Sequence, residues 1–499
     1  MHMKLSSHTL KRLISRIKTG QGHDMIHSVF LRNSSEAFLN NLSYFFNACF
    51  THCYLPQDIL KGTISPIIKD AKKNITESSN YRPIMQSSCL LKLFELHMLD
   101  IMSEKLSLNS RQFGFKPGSS TTDACFILKE VMTKYTAHKK SAIATFIDLS
   151  KAFDTIDHYI LGTKLLNSCL PIDVVLIILH YLRNQQANIK WENTLSEYYY
   201  IERGVRQGGV LSPFLFNLYV DAIINDVVNT NRGCTFGHIR CNIIGYADDL
   251  VLLAETREDM EIIYRKLCNS LSEHSLIINK NKSKCMIFCS NQEIQNGTIE
   301  LCGDTLDVVG SFKYLGHQIT FNLKDNEDIT LRLNSFYASF NSVFRNFKYV
   351  NKKTLLYLFN SYCLPDYGLA LWSHISSYKC SIFKTFTTAF NSALKRISDV
   401  PRYASSHITA ARCDQLLFNH HTALVQARYC KRILRSNNPI IRCNLSEIKE
   451  GYLIHHTVNH FKSVYEINVL HEDLDVVTSR IEWVQRHENR RGPCIYYGY

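Results

Sequence analysis

No run of apolar residues in this chain reaches the roughly 18 needed to cross a bilayer, and residues 174–182 come closest. That excludes a helical membrane span, and no membrane partner is expected. The first residues, Met-His-Met-Lys-Leu-Ser-Ser-His, lack the apolar core of a secretory leader. Cysteine is not scarce at 17 residues, but paired spacing is absent and the count is odd. In a chain this long that predicts free thiols in a reducing, intracellular setting, cytoplasmic and nuclear. Zinc-type spacing is missing as well. Cys413 with His420 and His421, and Cys443 with His455 and His456, have no close cysteine pair, so they read as core or surface residues. There is no internal repeat and no low-complexity tract.

What is present is the composition of an ordinary globular protein, 45% apolar and 20% charged. At 499 residues it is too long for one core, and roughly two to four domains or subdomains are expected. A net charge of +13 favours a polyanionic partner such as nucleic acid.

Residues 1–55 open on Lys4, Lys11, Arg12, Arg16 and Lys18. An amphipathic helix over 35–50 follows, with Phe38, Leu42, Phe45 and Phe46 on one face. This opening reads as the remnant of a longer polyprotein. A strand is expected over 60–66. Pro83 in N-Y-R-P-I keeps Arg82 extended. The Gly/Pro-rich loop 111–120 ends in Ser120-Thr-Thr-Asp, a capping box for a helix from about Asp123. Residues 142–149 form a strand with Asp148 near its carboxyl end, where open sheets carry active groups. S-K-A-F-D at 150–154 is expected to turn straight into a helix ending near Asn167. A weakly alternating stretch at 191–202 suggests a hairpin. In G-V-R-Q-G-G-V-L-S-P, glycines flank Gln207, and Ser212-Pro213 is read as N-cap and first helical residue. Such a loop suits close approach to a nucleotide. Residues 395–442 carry nine cations (Lys395, Arg396, Arg402, Arg412, Arg428, Lys431, Arg432, Arg435 and Arg442) against Asp399 and Asp414. Solvated faces and nucleic-acid contact are equally good readings of that excess.

The chemistry centres on N-I-I-G-Y-A-D-D-L-V-L-L-A, residues 242–254. Two apolar runs flank Asp248 and Asp249, with Gly245 and Ala-Asp-Asp read as the bend between strands. Alone, a pair of acids there is a solvated turn. With Asp148 in a neighbouring strand, three carboxylates converge. They repel unless a cation sits among them. Two divalent ions held in this way serve phosphoryl and nucleotidyl transfer. Glycoside hydrolysis needs acids on opposite sides of a bond, which adjacent aspartates fit poorly.

The ordered series I-S-P-I-I-K, N-Y-R-P-I, Q-F-G-F-K-P-G-S-S-T, F-I-D-L-S-K-A-F-D, G-V-R-Q-G-G-V-L-S-P-F-L-F-N, Y-A-D-D, N-K-N-K-S-K-C-M and F-K-Y-L-G resembles the reverse transcriptase domain of non-LTR, LINE-type retrotransposons. It spans about residues 60–320, and C-L-P-D-Y-G-L-A-L-W at 363–372 resembles a thumb element. The resemblance implies an α+β right-hand polymerase with fingers, an antiparallel palm sheet, a helical thumb and a basic helical C-terminal region. The implied activity is RNA-directed DNA synthesis with Mg²⁺, or Mn²⁺ in its place. The implied partners are an RNA template, a DNA primer or target, and dNTPs. Asp148, Asp248 and Asp249 would hold metal. Arg82 would face the incoming phosphates and Gln207 the nucleotide and template. Phe153 would act as a steric gate against the ribose 2′-OH. Tyr246 would lie below the acids near the primer end. Lys282 would protonate pyrophosphate, and Lys69 would be a fingers cation at the template or in solvent. Phe312, Tyr314, Leu315 and Gly316 would form the primer grip. Asp154 and Asp157 are read as structural.

Three positions depart from the family pattern. Lys116 stands where Arg is common, Arg206 where Pro is common, and Gly209 where Ser or Thr is common. Arg206 is expected to add a cation near the template, and Gly209 to loosen its loop. The expected divisions are 1–55, an N-terminal extension; 56–320, fingers and palm; 321–400, thumb; and 401–499, the basic helical region. No endonuclease is recognisable in the sequence. A group II intron or telomerase type of enzyme is a second reading, and a domesticated or catalytically decayed RNA-binding remnant is a third.

Overall fold

The structure is a computed structural model that describes residues 4–289, 297–364, 366–372, 380–446 and 453–487. Its centre is the strand Ala142–Asp148, buried along its length except at Asp148. A run of apolar residues with no polar alternation needs cover on both faces. It finds that cover in the middle of a six-stranded sheet. The order is Gly297–Leu301, Asp304–Val308, Lys284–Phe288, Ala142–Asp148, Asp249–Ala254, Ile243–Tyr246. The expected antiparallel palm holds at every junction except one, because Lys284–Phe288 and Asp304–Val308 run parallel. One face packs on the helices Ser212–Val228 and Arg257–Glu273, the other on Thr121–Ala137.

A second sheet pairs Tyr81–Ser87, Lys61–Ile68 and Gln186–Trp191, and the last of these also pairs Thr194–Leu195 and Tyr199–Tyr200. The helices Ser7–Arg16 and Glu36–Thr51 send Leu10, Leu13, Phe46 and Phe50 into the same core as Phe94 of the helix Cys89–Lys105. The expected capping box is present, with Ser120 and Asp123 bonding each other's backbone. Helix Ser212–Val228 begins one residue earlier than expected, so Ser212 is inside it and Leu211 is the cap. The stretch after Asp148 also differs from expectation. Residues 150–156 make turns, and the helix His158–Leu166 starts only at the Asp157 side-chain cap. Asp157 is thus structural, as expected.

The helices Asn326–Phe347, Lys352–Tyr362 and Ser381–Ser398 close over their own aromatic core of Phe336, Phe340, Phe359, Phe386, Phe390 and Trp372. Helix Phe418–Leu434 returns to the palm. Arg432 holds Asp123 at 2.6 and 2.8 Å, and the Tyr429 hydroxyl donates to Asp123 at 3.3 Å. The cation excess of 395–442 is partly used internally. Lys395 and Lys431 donate to the carbonyls of Arg402 and Leu470, Arg442 to that of Ser436, and Arg396 lies over Phe344.

Arg206 contradicts its sequence expectation. It is buried, and its guanidinium donates to Gln185 Oε1 at 2.7 Å, Ser87 Oγ at 3.2 Å and the Leu60 carbonyl. It also lies over the Tyr181 ring. Beside it Glu95, fully buried, accepts from the Tyr181 hydroxyl at 2.6 Å and from Val210 N at 2.7 Å. Arginine with five donors can satisfy a carbonyl, an amide and a hydroxyl at once where proline would offer none. Gly209 does not loosen this loop. A Cβ there would stand 2.6 Å from Ser212 Oγ and 3.2 Å from Glu95 Oε1, so its lack of a side chain permits close packing. Truncating Arg206→Ala should strand these buried acceptors and destabilise the fold by about 3 kcal/mol. Chemical denaturation measures this, and a change of under about 0.5 kcal/mol, the range of a surface substitution, would place Arg206 at the surface instead.

Candidate active site

Sheet register builds the site. Ile243–Tyr246 and Asp249–Ala254 form a tight hairpin in which Tyr246 is paired with Asp249. The bend is Ala247-Asp248 alone, and Gly245 belongs to the strand, a correction to the wider turn expected. Ala247 is left-handed at φ 55°. On the other side Asp249 is paired directly with Asp148. Directly opposed residues point to one face, and like charges so placed repel. Lys284 pairs with Phe146. Lys282 lies just before the strand Lys284–Phe288, in the turn that leads into it. Its Nζ lies 3.4 Å from Asp148 Oδ2. Tyr246, Asp249 and Asp148 therefore form one row across the sheet, with Asp248 at the hairpin tip and Lys282 reaching Asp148 from the adjoining turn. The basic turn is fixed to the strand end by Asn279 N donating to the Asp148 carbonyl at 2.8 Å and by Asp148 N donating to Ser283 Oγ at 3.1 Å.

The electrostatics follow from this crowding. Burial, then Asp248 and Asp148, push the Asp249 carboxyl up to about 6, and Lys282 works against the rise. Burial and Asp148 also raise Asp248, opposed by Arg82 and Lys282. Arg82 projects exposed from its strand. Lys69 donates to the Ser79 carbonyl at 2.9 Å. Its amine is pulled below its usual value by burial and by the neighbouring charges of Lys282, Arg82 and Lys151. A cationic rim thus faces the acids.

Among the described residues no three His, Cys, Asp or Glu side chains form a ready-made metal cage. The donor set nevertheless fits Mg²⁺, which is held by one or two carboxylates and takes its other oxygens from phosphate and water. The donors are hard oxygens only, and the raised proton affinity of Asp248 and Asp249 marks an unmet need for positive charge.

Gln207 is held on its loop by donating from Nε2 to Asp154 Oδ1 at 2.8 Å, while its carbonyl accepts from Met85 N at 2.8 Å. Asp154, read from sequence as structural, orients it. Phe153 lies in a turn, half-buried against the palm core. Its ring stacks on Phe216 at 4.5 Å. In the hairpin Ser311–Tyr314 and His317–Thr320, Leu315 and Gly316 are the turn. Phe312 stacks on Phe146 at 4.4 Å and Tyr314 lies 5.6 Å from it, two residues behind Asp148. The hairpin is tied to the helix Asn326–Phe347. Arg332 donates to the Gly316 carbonyl at 2.9 Å, and His317 Nδ1 lies 3.1 Å from Asp328, which also accepts from Trp372. Lys129 of the palm helix meets buried Asp325 at 2.6 Å. Residue 365 of the C-L-P-D-Y-G motif lies outside the described residues.

Three residues of the Q-F-G-F segment, Gln112, Phe113 and Gly114, were not singled out by sequence. Buried Gln112 accepts from Ala247 N at 2.9 Å, and Arg111 and Phe113 bond the Gly245 backbone on either side. A Cβ on Gly114 would stand 2.4 Å from Ala247 N, so this loop can only seat against the acid turn with glycine there. Lys116 satisfies the carbonyls of Leu108 and Asn109. Phe115 adopts φ 53°, a left-handed conformation that costs a side-chain-bearing residue about 1–2 kcal/mol. The sequence signal for all three is a glycine between aromatics in a motif otherwise read only as a loop.

The family described as Reverse transcriptase (RNA-dependent DNA polymerase) matches residues 69–319, half of the chain. The Pol polyprotein of the type-1 retrotransposable element R2 from Nasonia vitripennis is 26% identical over 272 residues, covering 54% of this chain and 26% of that protein. The probable RNA-directed DNA polymerase from transposon BS of Drosophila melanogaster is 24% identical over 451 residues, covering 85% of this chain and 48% of that protein. The chain thus spans between a quarter and a half of the length of these curated relatives. A solved telomerase from Candida albicans, in complex with a telomeric RNA fragment, covers 86% of this chain and is covered over 66% of its own, at 12% identity and a TM-score of 0.38. That likeness is weak and adds nothing to the palm topology. No described helix is long and apolar enough to cross a membrane. Matched over half its length, and across the strands and loops that assemble the three aspartates, the chain belongs to the reverse transcriptase family.

Proposed function

We propose that this chain is an RNA-directed DNA polymerase that adds dNTPs to a primer 3′-OH on an RNA template. The observation that carries the reading is the row of opposed Asp249 and Asp148 with Asp248 at its tip, facing Lys282, Arg82 and Lys69. Asp148 and Asp248 would hold Mg²⁺, or Mn²⁺ in its place, with Asp249 beside them. Divalent ions bound there would polarise the attacking hydroxyl and neutralise charge on the leaving phosphate. Arg82 and Lys69 receive the triphosphate by charge-assisted hydrogen bonds. Gln207, steadied by Asp154, contacts the nucleotide and template. Phe153 stands against the sugar. Tyr246 lies under the primer end, and the 312–316 hairpin grips the primer. Lys282 balances Asp148 in the free protein and would supply the proton to departing pyrophosphate.

Primer extension on an RNA template with Mg²⁺ or Mn²⁺ tests this. Wild type should incorporate dNTPs, and Asp248→Asn should lose activity on the order of a thousandfold, the scale of losing one charge-stabilising group. A wild type that binds RNA but adds nothing would make the chain a binding protein. An undiminished Asp248→Asn would remove the site assignment.

A pH dependence follows in the metal-free protein. Asp249 binds its proton more tightly folded, near pH 6, than unfolded, near the ordinary value of about 4. Its contribution to stability is therefore full below about pH 4 and is lost as pH rises through about 6. Asp249→Asn should raise the metal-free Tm at pH 8 and leave it nearly unchanged at pH 4. Equal shifts at both pH values would mean that Asp249 is not raised.

A further inference from the structure

Single exposed aromatics are ordinary on a protein surface. Phe115 differs in where it stands and how it is held. It is 57% exposed, yet its ring meets Phe153 edge-on at 6.5 Å and lies 6.4 Å from Tyr246. Its backbone is left-handed, while Gly114 precedes it and Gly118 follows close behind. An aromatic thus occupies a position where glycine would relax the backbone. Its loop is bonded to the acid turn through Gln112, Arg111 and Phe113. Strained positions of this kind persist where surrounding structure imposes them, and they cluster at sites that touch ligands.

Resting on the polymerase reading above, we propose that Phe115 is a specificity-determining residue for the sugar of the nucleotide. Together with Phe153 it forms an apolar corner between the incoming nucleotide and the primer end. The Phe216 stack fixes the back of the Phe153 ring, and Phe115 closes its open edge. A deoxyribose C2′ presents only hydrogens to two ring surfaces. A ribose 2′-OH pressed into the same corner would lose water and find no acceptor on either ring, since phenylalanine has none. With Phe115 removed, water re-enters along the open edge of Phe153 and the hydroxyl is tolerated. Tyr246 bounds the corner on the primer side.

The test compares Phe115→Gly, Phe115→Ala and Phe153→Ala in the full chain, with single dNTP and rNTP additions on a primed RNA template and Tm measured alongside. Phe115→Gly should fold with a Tm at or above wild type, because glycine accepts the left-handed backbone. Yet its dNTP-over-rNTP ratio of kcat/KM should fall by roughly tenfold, chiefly through a lower KM for rNTP, the scale of opening one wall of an apolar pocket. Phe115→Ala should show the same loss of ratio. Adding Phe115→Ala to Phe153→Ala should lower the ratio by less than the two single effects combined, because both rings bound one corner. If both Phe115 variants keep the wild-type ratio while Phe153→Ala loses it, Phe115 is no part of the corner. If Phe153→Ala also keeps the ratio, the gate itself is wrong and the inference falls with it.

Discussion

Two aspartates directly opposed on neighbouring strands are an unfavourable pairing, and this molecule is arranged around one. Asp249 and Asp148 share a register position at the centre of the palm, with Asp248 one residue away at the hairpin tip. Nothing in the sheet relieves their repulsion fully. Lys282 reaches one carboxylate from the turn before the neighbouring strand, at 3.4 Å and largely in solvent, where a single ion pair contributes little. The remaining imbalance shows as proton affinity on Asp249 and Asp248. A cation-binding polymerase site has this character, because the charge missing from the protein arrives with the ions of the reaction.

The rest of the fold holds that pairing in place. The buried strand Ala142–Asp148 fixes one acid, and the docked 111–114 loop fixes the turn carrying the others. The Glu95, Tyr181 and Arg206 cluster anchors the glycine loop that delivers Gln207. On the far side, Lys129, Asp325, Asp328, His317 and Arg332 join the palm helix, the 311–320 hairpin and the first thumb helix in one buried polar network. Buried charges are tolerated where each has a partner, and such groups fix geometry more than they add stability. These networks explain how loops far apart in sequence keep a common orientation towards the acids.

Much of this was legible in the sequence. The apolar run ending at Asp148, the Y-A-D-D hairpin and the Ser120 capping box each have a local signature, and each lies where that signature puts it. The row of Tyr246, Asp249 and Asp148 was not legible, because register between distant strands has no local signal. Arg206 misled for a related reason. A cation in a glycine loop looks solvated, and only the fold reveals a carbonyl, an amide and a hydroxyl waiting around it. Gly209 was misread because a close approach is invisible until the approaching Ser212 and Glu95 are known. The helix after Asp148 was started too early because S-K-A-F-D has helical composition, while Asp157 captures the N-terminal amides further along. Part of the basic C-terminal excess is used in the same way, on carbonyls of turns and loops and on Asp123.

The central claim is that the carboxylate row is destabilised in the free protein and stabilised by divalent cations. Thermal unfolding of the metal-free chain with and without saturating Mg²⁺ tests it most directly, with the double variant Asp248→Asn/Asp249→Asn alongside. At neutral pH the metal-free variant should melt above the metal-free wild type, and Mg²⁺ should raise the Tm of wild type alone. Equal Mg²⁺ shifts in both proteins, or a variant that melts lower than wild type without metal, would contradict it.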